Sequence, residues 1–105
     1  MTSTAVQLAR QEWADGYRRL EDERSDPARY RLLLAQAEAI GDQLRRRLGG
    51  PFTLAELAAE YRRAERWVHL AIDELPAAER APGTLATATD AAFHVYARGA
   101  QDYEP

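Results

Sequence analysis

A chain of 105 residues with a formal charge of −3 has the size of one domain, and its acidic balance argues against general nucleic-acid binding. It contains no cysteine, which excludes disulfides and thiolate metal sites, and no lysine, so all 14 basic residues are arginine and no Schiff-base chemistry is available. No apolar run approaches a membrane span and no signal-like apolar core opens the chain, so a cytoplasmic protein without a membrane segment is expected.

Alanine is the commonest apolar residue: 21 Ala stand against 27 larger apolar or aromatic residues of all other types together. Alanine is the best helix former and lets helix backbones approach closely, so propensity and packing both point to an all-α fold with a thin core.

The first helix is predicted from about Thr4 to Arg24. Val6, Ala9, Trp13, Tyr17 and Leu20 recur at spacings of three and four, the mark of one buried face. Ser25-Asp26-Pro27 breaks it, with Asp26 as the next N-cap and Pro27 at the first helical position. The second helix is predicted over 27–48, with a stripe of Tyr30, Leu33, Leu34, Ala37, Ile40, Leu44 and Leu48. Arg45, Arg46 and Arg47 crowd its last turn, where cations complement the helix dipole.

Gly49-Gly50-Pro51 ends that helix and prevents it from resuming. Thr53 and Glu56 then form a capping box, and Phe52 and Leu57 sit where a hydrophobic staple closes over it. The third helix is predicted over 54–75, with Leu54, Leu57, Tyr61, Ala64, Val68, Ala71, Ile72 and Leu75 inward and Pro76 as its stop. Residues 76–84 read as a Pro-containing loop. A shorter fourth helix follows over about 86–98, with Leu85, Ala88, Ala92, Val95 and Tyr96 inward, and residues 100–105 form a flexible tail unless Tyr103 docks. The expected architecture is a small antiparallel bundle in a single domain over 1–105, with a helical hairpin completed by dimerisation as the alternative.

Four constellations bear on function. First, Trp67 and Leu70 fall roughly 90° and 150° from the centre of the third helix's stripe. Ringed by Arg63, Arg66 and Glu74, they resemble an interface anchor with a polar rim, unless the fourth helix or the loop covers them. Second, Glu65, His69 and Asp73 line one side of the third helix, and Asp90 precedes His94 by four on the fourth. Carboxylate and imidazole at this spacing can share a divalent metal or do acid–base work, although a solvated face explains them as well. Third, Phe52–Tyr61 resembles the opening of a helix-turn-helix motif, with Val68 where the recognition helix has its buried apolar residue. Where that motif needs a tight turn the chain has Arg62 and Arg63. Fourth, tyrosine precedes arginine at Tyr17-Arg18, Tyr30-Arg31 and Tyr61-Arg62, a pairing that suits RNA but is explained equally by core tyrosines beside solvated arginines.

No phosphate loop, nucleophile elbow or His-Glu-x-x-His template is present, and no cofactor is indicated. The leading expectation is a non-catalytic interaction or regulatory protein that binds a protein partner, or itself as a homodimer, through the Trp67/Leu70 face. The alternatives are a DNA-binding regulator using residues 53–70 with Arg45, Arg46, Arg47, Arg62 and Arg63, and a metal-dependent bundle enzyme using Glu65, His69 and Asp73.

Overall fold

The computed structural model describes residues 3–105 and is an antiparallel bundle of four helices: α1 (Thr4–Asp22), α2 (Pro27–Leu48), α3 (Leu54–Asp73) and α4 (Leu85–Ala97). Among the described residues there is no strand, and no helix is long and apolar enough to cross a membrane. Short 3-10 turns at 23–25, 77–79 and 82–84 absorb the helix ends, so α1 and α3 stop two residues before the predicted ends.

The start and stop signals act as their chemistry dictates. The Ser3 hydroxyl accepts from the Val6 N–H, and the Asp26 carboxylate accepts from the Arg29 N–H one residue before Pro27 opens α2. Gly49 takes the left-handed conformation at φ 75°, which glycine alone adopts without strain, and donates to the Arg45 carbonyl. At α3 the Thr53–Glu56 capping box is complete, and the staple residues Phe52 and Leu57 are both buried.

Residues 100–105 do not hang free. The Gln101 N–H donates to the Phe52 carbonyl, and Asp102 accepts from the Leu54 N–H at 2.8 Å, adding a second cap to α3. Ala100 is buried, and the Tyr103 ring packs under the Arg10 guanidinium. Carboxylates are favoured at a helix N-terminus, so Asp102 fixes the tail where the dipole of α3 begins.

The short helix α4 is the centre of the bundle. It packs most extensively against α1 and then α2, α3 lies against α2, and α1 and α2 touch each other little. A helix apolar on nearly every side belongs inside. Accordingly Ala88, Ala91, Ala92, Phe93 and Ala97 are all buried, whereas Val95, expected to face inward, is 53% exposed. Phe93 is the hub: its ring centroid lies 5.5 Å from Trp13, 5.0 Å from Tyr61 and 6.4 Å from Trp67, so one aromatic cluster joins α1, α3 and α4.

Two polar devices complete the interior. Gln36 is fully buried, and its amide donates to the Glu79 and Ala81 carbonyls, both at 2.9 Å, while its oxygen accepts from the Thr84 hydroxyl at 2.7 Å. This holds the 76–84 segment onto α2, and every hydrogen-bonding group of the amide is engaged. On the other flank the Tyr61 hydroxyl meets Asp90 at 2.6 Å and Glu12 at 2.9 Å, while Arg19 reaches Asp90 at 3.2 Å.

Candidate functional site

The surface expected around Trp67 is not there. Trp67 is 3% exposed, covered by Phe93 on one side and by the Arg47 guanidinium, 5.0 Å from its ring, on the other. The buried arc of α3 is wide because α1, α2 and α4 all face it, and it takes in Trp67, Ala58 and Glu60 beyond the predicted stripe. Leu70 does project outward at 55% exposure, among the exposed Arg66 and Glu74, but without its tryptophan it is a lone leucine, and lone exposed leucines are normal. Leu8 on α1 is exposed in the same isolated way.

The arginines proposed for nucleic acid are mostly occupied. Arg47 and Arg63 bracket Glu60 at 2.7 and 3.2 Å, Arg45 pairs with Asp42, and Arg46 approaches Glu74 at 3.9 Å. Glu60 is itself buried, so the Arg47–Glu60–Arg63 set is an internal tie between α2 and α3. Helix α3 continues unbroken through Arg62 and Arg63, and the turn of a helix-turn-helix is therefore missing.

The metal expectation also fails on geometry. Among the described residues no group of three or more His, Cys, Asp or Glu side chains is arranged to hold an ion. Glu65, His69 and Asp73 run along an exposed line of α3, and eight residues of helix separate the outer two by about 12 Å, too far for one ion. Asp90 turns to Tyr61 and Arg19, and His94 stacks on the Tyr17 ring at 4.7 Å.

Electrostatics follow from these contacts. Burial, and then the hydrogen bonds to Asp90 and Glu12, push the Tyr61 phenol far above its usual range, so it is no nucleophile near neutral pH. Burial raises the Asp90 carboxyl despite the opposing contacts with Tyr61 and Arg19. Burial lowers the His94 imidazole, and the nearby charges of Arg98 and Arg10 lower it further.

The open surface with chemical character lies elsewhere, on both flanks of α4. Because α1 and α2 barely touch, a groove of about 530 Å³ runs between them with α4 as its floor. Tyr17, Tyr30 and Tyr96 line it, and Leu34 and Val95 stand 38% and 53% exposed in its wall. Three carboxylates, Glu21, Glu38 and Asp42, edge it against the single guanidinium of Arg45. A second groove of about 540 Å³ follows α3 and is lined by Tyr61, Val68, His69, Thr89 and Asp90 among others. Leu34 was assigned to the buried stripe of α2 and Val95 to that of α4. A one-dimensional pattern marks which face is apolar but cannot show that the neighbour expected to cover it is missing.

Compared with protein-family models, with curated proteins and with solved structures, the chain finds no match in any of the three.

Proposed function

We propose that the chain is a non-catalytic protein-interaction module that receives an amphipathic helix of a partner protein in the groove between α1 and α2. The carrying observation is that Leu34 and Val95, from two different helices, stand exposed in the wall of one tyrosine-lined groove. Two helices flanking a helical floor offer the ridges and furrows into which a further helix packs. Tyrosine and leucine at the centre with charges at the edge is the composition of a binding patch rather than of ordinary surface.

Charge selects the occupant. Glu21 and Asp42 already pair with Arg24 and Arg45, which leaves Glu38 as the uncompensated charge at the edge, so the partner helix carries an arginine or lysine to meet it beside its apolar stripe. A second copy of this chain, placed by two-fold symmetry, would set these acidic edges against each other and is disfavoured for that reason.

The test is affinity capture with the wild type, Leu34→Glu/Val95→Glu and Leu70→Glu, each run with nuclease, followed by direct binding of the captured protein's basic helical segment as a peptide. Support is a partner, and its peptide, bound by the wild type and Leu70→Glu but lost from the double variant. Retention by the double variant overturns the reading. So does a wild-type dimer in sedimentation that the double variant converts to monomer, because the occupant would then be a second copy.

A further inference from the structure

We infer that the cavity between α1, the last turn of α4 and the docked tail binds a small organic anion, a carboxylate or phosphate carried on a flat apolar body. The cavity measures about 240 Å³ and is walled by Arg10, Gln11, Trp13, His94, Ala97 and Tyr103. It is separate from the groove between α1 and α2.

Three independent observations converge on an anion. The first is missing counter-charge. Eight of the 14 arginines form ion pairs among the described residues, but Arg10 and Arg98, the two whose charges bear on His94, do not. The Arg10 guanidinium instead donates to the Glu104 carbonyl at 2.8 Å and lies 5.1 Å above the Tyr103 ring, and no carboxylate is in the cavity wall. Arg10, half-buried in the wall and without a carboxylate, is a cation an anion can pair with, and Arg98, exposed just outside the wall, adds its charge.

The second is an orphan donor. Trp13 is completely buried, forms part of the cavity wall, and its indole N–H has no acceptor. Buried donors are nearly always satisfied; of the two here that are not, the indoles of Trp13 and Trp67, only Trp13 lines one of the described cavities, from which an acceptor can come. A carboxylate or phosphate oxygen is such an acceptor and is also the counter-ion that Arg10 lacks.

The third is shape. Trp13 and Tyr103 give the wall two aromatic side chains, and Ala14 and Ala97 leave room beside them. That suits a flat ring. The volume lies below the roughly 300–1,000 Å³ of pockets for drug-sized molecules, which limits the ligand to about one ring with its acid group. His94, whose pKa is lowered by burial and then by Arg98 and Arg10, gains a reason to protonate once an anion enters, so binding takes up a proton.

The experiment is a titration of the 15N-labelled full chain, following the indole N–H signals, with Trp13 assigned by Trp13→Phe. The probes are benzoate, phenyl phosphate, inorganic phosphate and uncharged benzamide. The expected result is a saturable shift of the Trp13 indole with benzoate or phenyl phosphate, at a Kd of about 1 mM or tighter. The stronger of the two identifies the acid group. Arg10→Gln is expected to weaken binding about tenfold or more. Because that variant also frees the tail, Arg98→Gln serves as the second test, and it weakens binding severalfold without touching the wall. No saturable shift with either aromatic anion overturns the proposal. An equal shift with benzamide overturns the anion, and an equal affinity for inorganic phosphate overturns the flat body.

Discussion

Gly16 of α1 and Asp90 of α4 touch so closely that a Cβ built on the glycine would lie 2.2 Å from the Asp90 Cβ. Glycine is at that position because only a missing side chain lets α1 approach α4 there. The approach brings Arg19 to Asp90 and sets Asp90 under the Tyr61 hydroxyl. Alanine in place of Gly16 gains up to about 1 kcal/mol of helix propensity. The collision is with a Cβ rather than a mobile side-chain tip, and overpacking of this kind costs about 1–3 kcal/mol. A net loss of about 1–2 kcal/mol is therefore expected for Gly16→Ala in urea unfolding. An unchanged midpoint would mean that α1 and α4 can separate freely.

Gln36 predicts a different failure. Its amide is the only link seen from the interior of α2 to the Glu79 and Ala81 carbonyls and the Thr84 hydroxyl. Leucine keeps the volume but leaves the Glu79 carbonyl without its partner, while the Thr84 hydroxyl and the Ala81 carbonyl keep only each other; a buried unsatisfied group costs about 1–3 kcal/mol. The 76–84 segment should detach before the bundle melts. Limited trypsin digestion reads this directly, because Arg80 lies in the segment and its guanidinium is otherwise held by the Leu75 carbonyl at 2.6 Å. Gln36→Leu is expected to be cut after Arg80 several times faster than the wild type, and equal rates would show that the amide anchors nothing.

The run Arg45–Arg47 divides into two kinds of arginine. Arg47 pairs with the buried Glu60 and covers Trp67, while Arg46 reaches Glu74 only at 3.9 Å with both side chains well exposed. Arg47→Ala leaves a buried carboxylate with Arg63 alone and uncovers the indole, and a loss of about 2–3 kcal/mol is expected. Arg46→Ala is expected to cost less than about 0.5 kcal/mol. Equal effects in thermal unfolding would remove the structural account of the triple arginine.

Trp67 and Leu70 separate in the same way. Trp67→Ala removes a packed aromatic from the Phe93 cluster, a loss of about 3–5 kcal/mol. Leu70→Ala, at the surface, should stay within about 0.5 kcal/mol. Parallel denaturation curves for the two variants check this, and similar shifts would place Leu70 under cover that the structure does not show.

The helix signals were legible in the sequence because they are local. Asp26-Pro27, Gly49 and the Thr53–Glu56 box each act within four residues, and each acts as read. The long stripes of α1 and α3 were legible for the same reason. What failed depends on neighbours. Trp67 lies at the edge of its stripe, and only the arrival of Arg47 and Phe93 from other helices buries it. Phe93 lies outside the stripe read for the fourth helix, because alanines on several sides of that helix leave its true inward face poorly marked. The tail is loose by sequence unless Tyr103 docks; Tyr103 does pack under Arg10, and the Asp102 cap on Leu54 that also holds the tail spans 48 residues of sequence that no local pattern connects. The open groove was invisible for a related reason: Leu34 lies on a correct apolar face, and what is missing is the helix that would cover it.

His94 makes stability depend on pH in a definite direction. Burial lowers its pKa in the folded chain, and Arg98 and Arg10 add to that, while Tyr17 and Tyr103 are the titratable groups facing it from α1 and the tail. The unfolded imidazole titrates near about 6.5. Between that value and the lower folded pKa the unfolded chain binds more protons than the folded one. His94 therefore contributes stability that is present above about pH 6.5 and is lost as the pH falls through the folded pKa. Asp90, whose carboxyl is raised by burial, works in the opposite sense: its contribution is present at low pH and is lost as the pH rises through its folded value. The two are separated by measuring unfolding free energy from about pH 7 to 5 in the wild type, His94→Gln and Asp90→Asn. His94→Gln is expected to flatten the decline on the acid side, and Asp90→Asn to leave that part of the slope in place. If His94→Gln declines as steeply as the wild type, the folded imidazole is not shifted down by its burial and by Arg98 and Arg10, and the account of its surroundings fails.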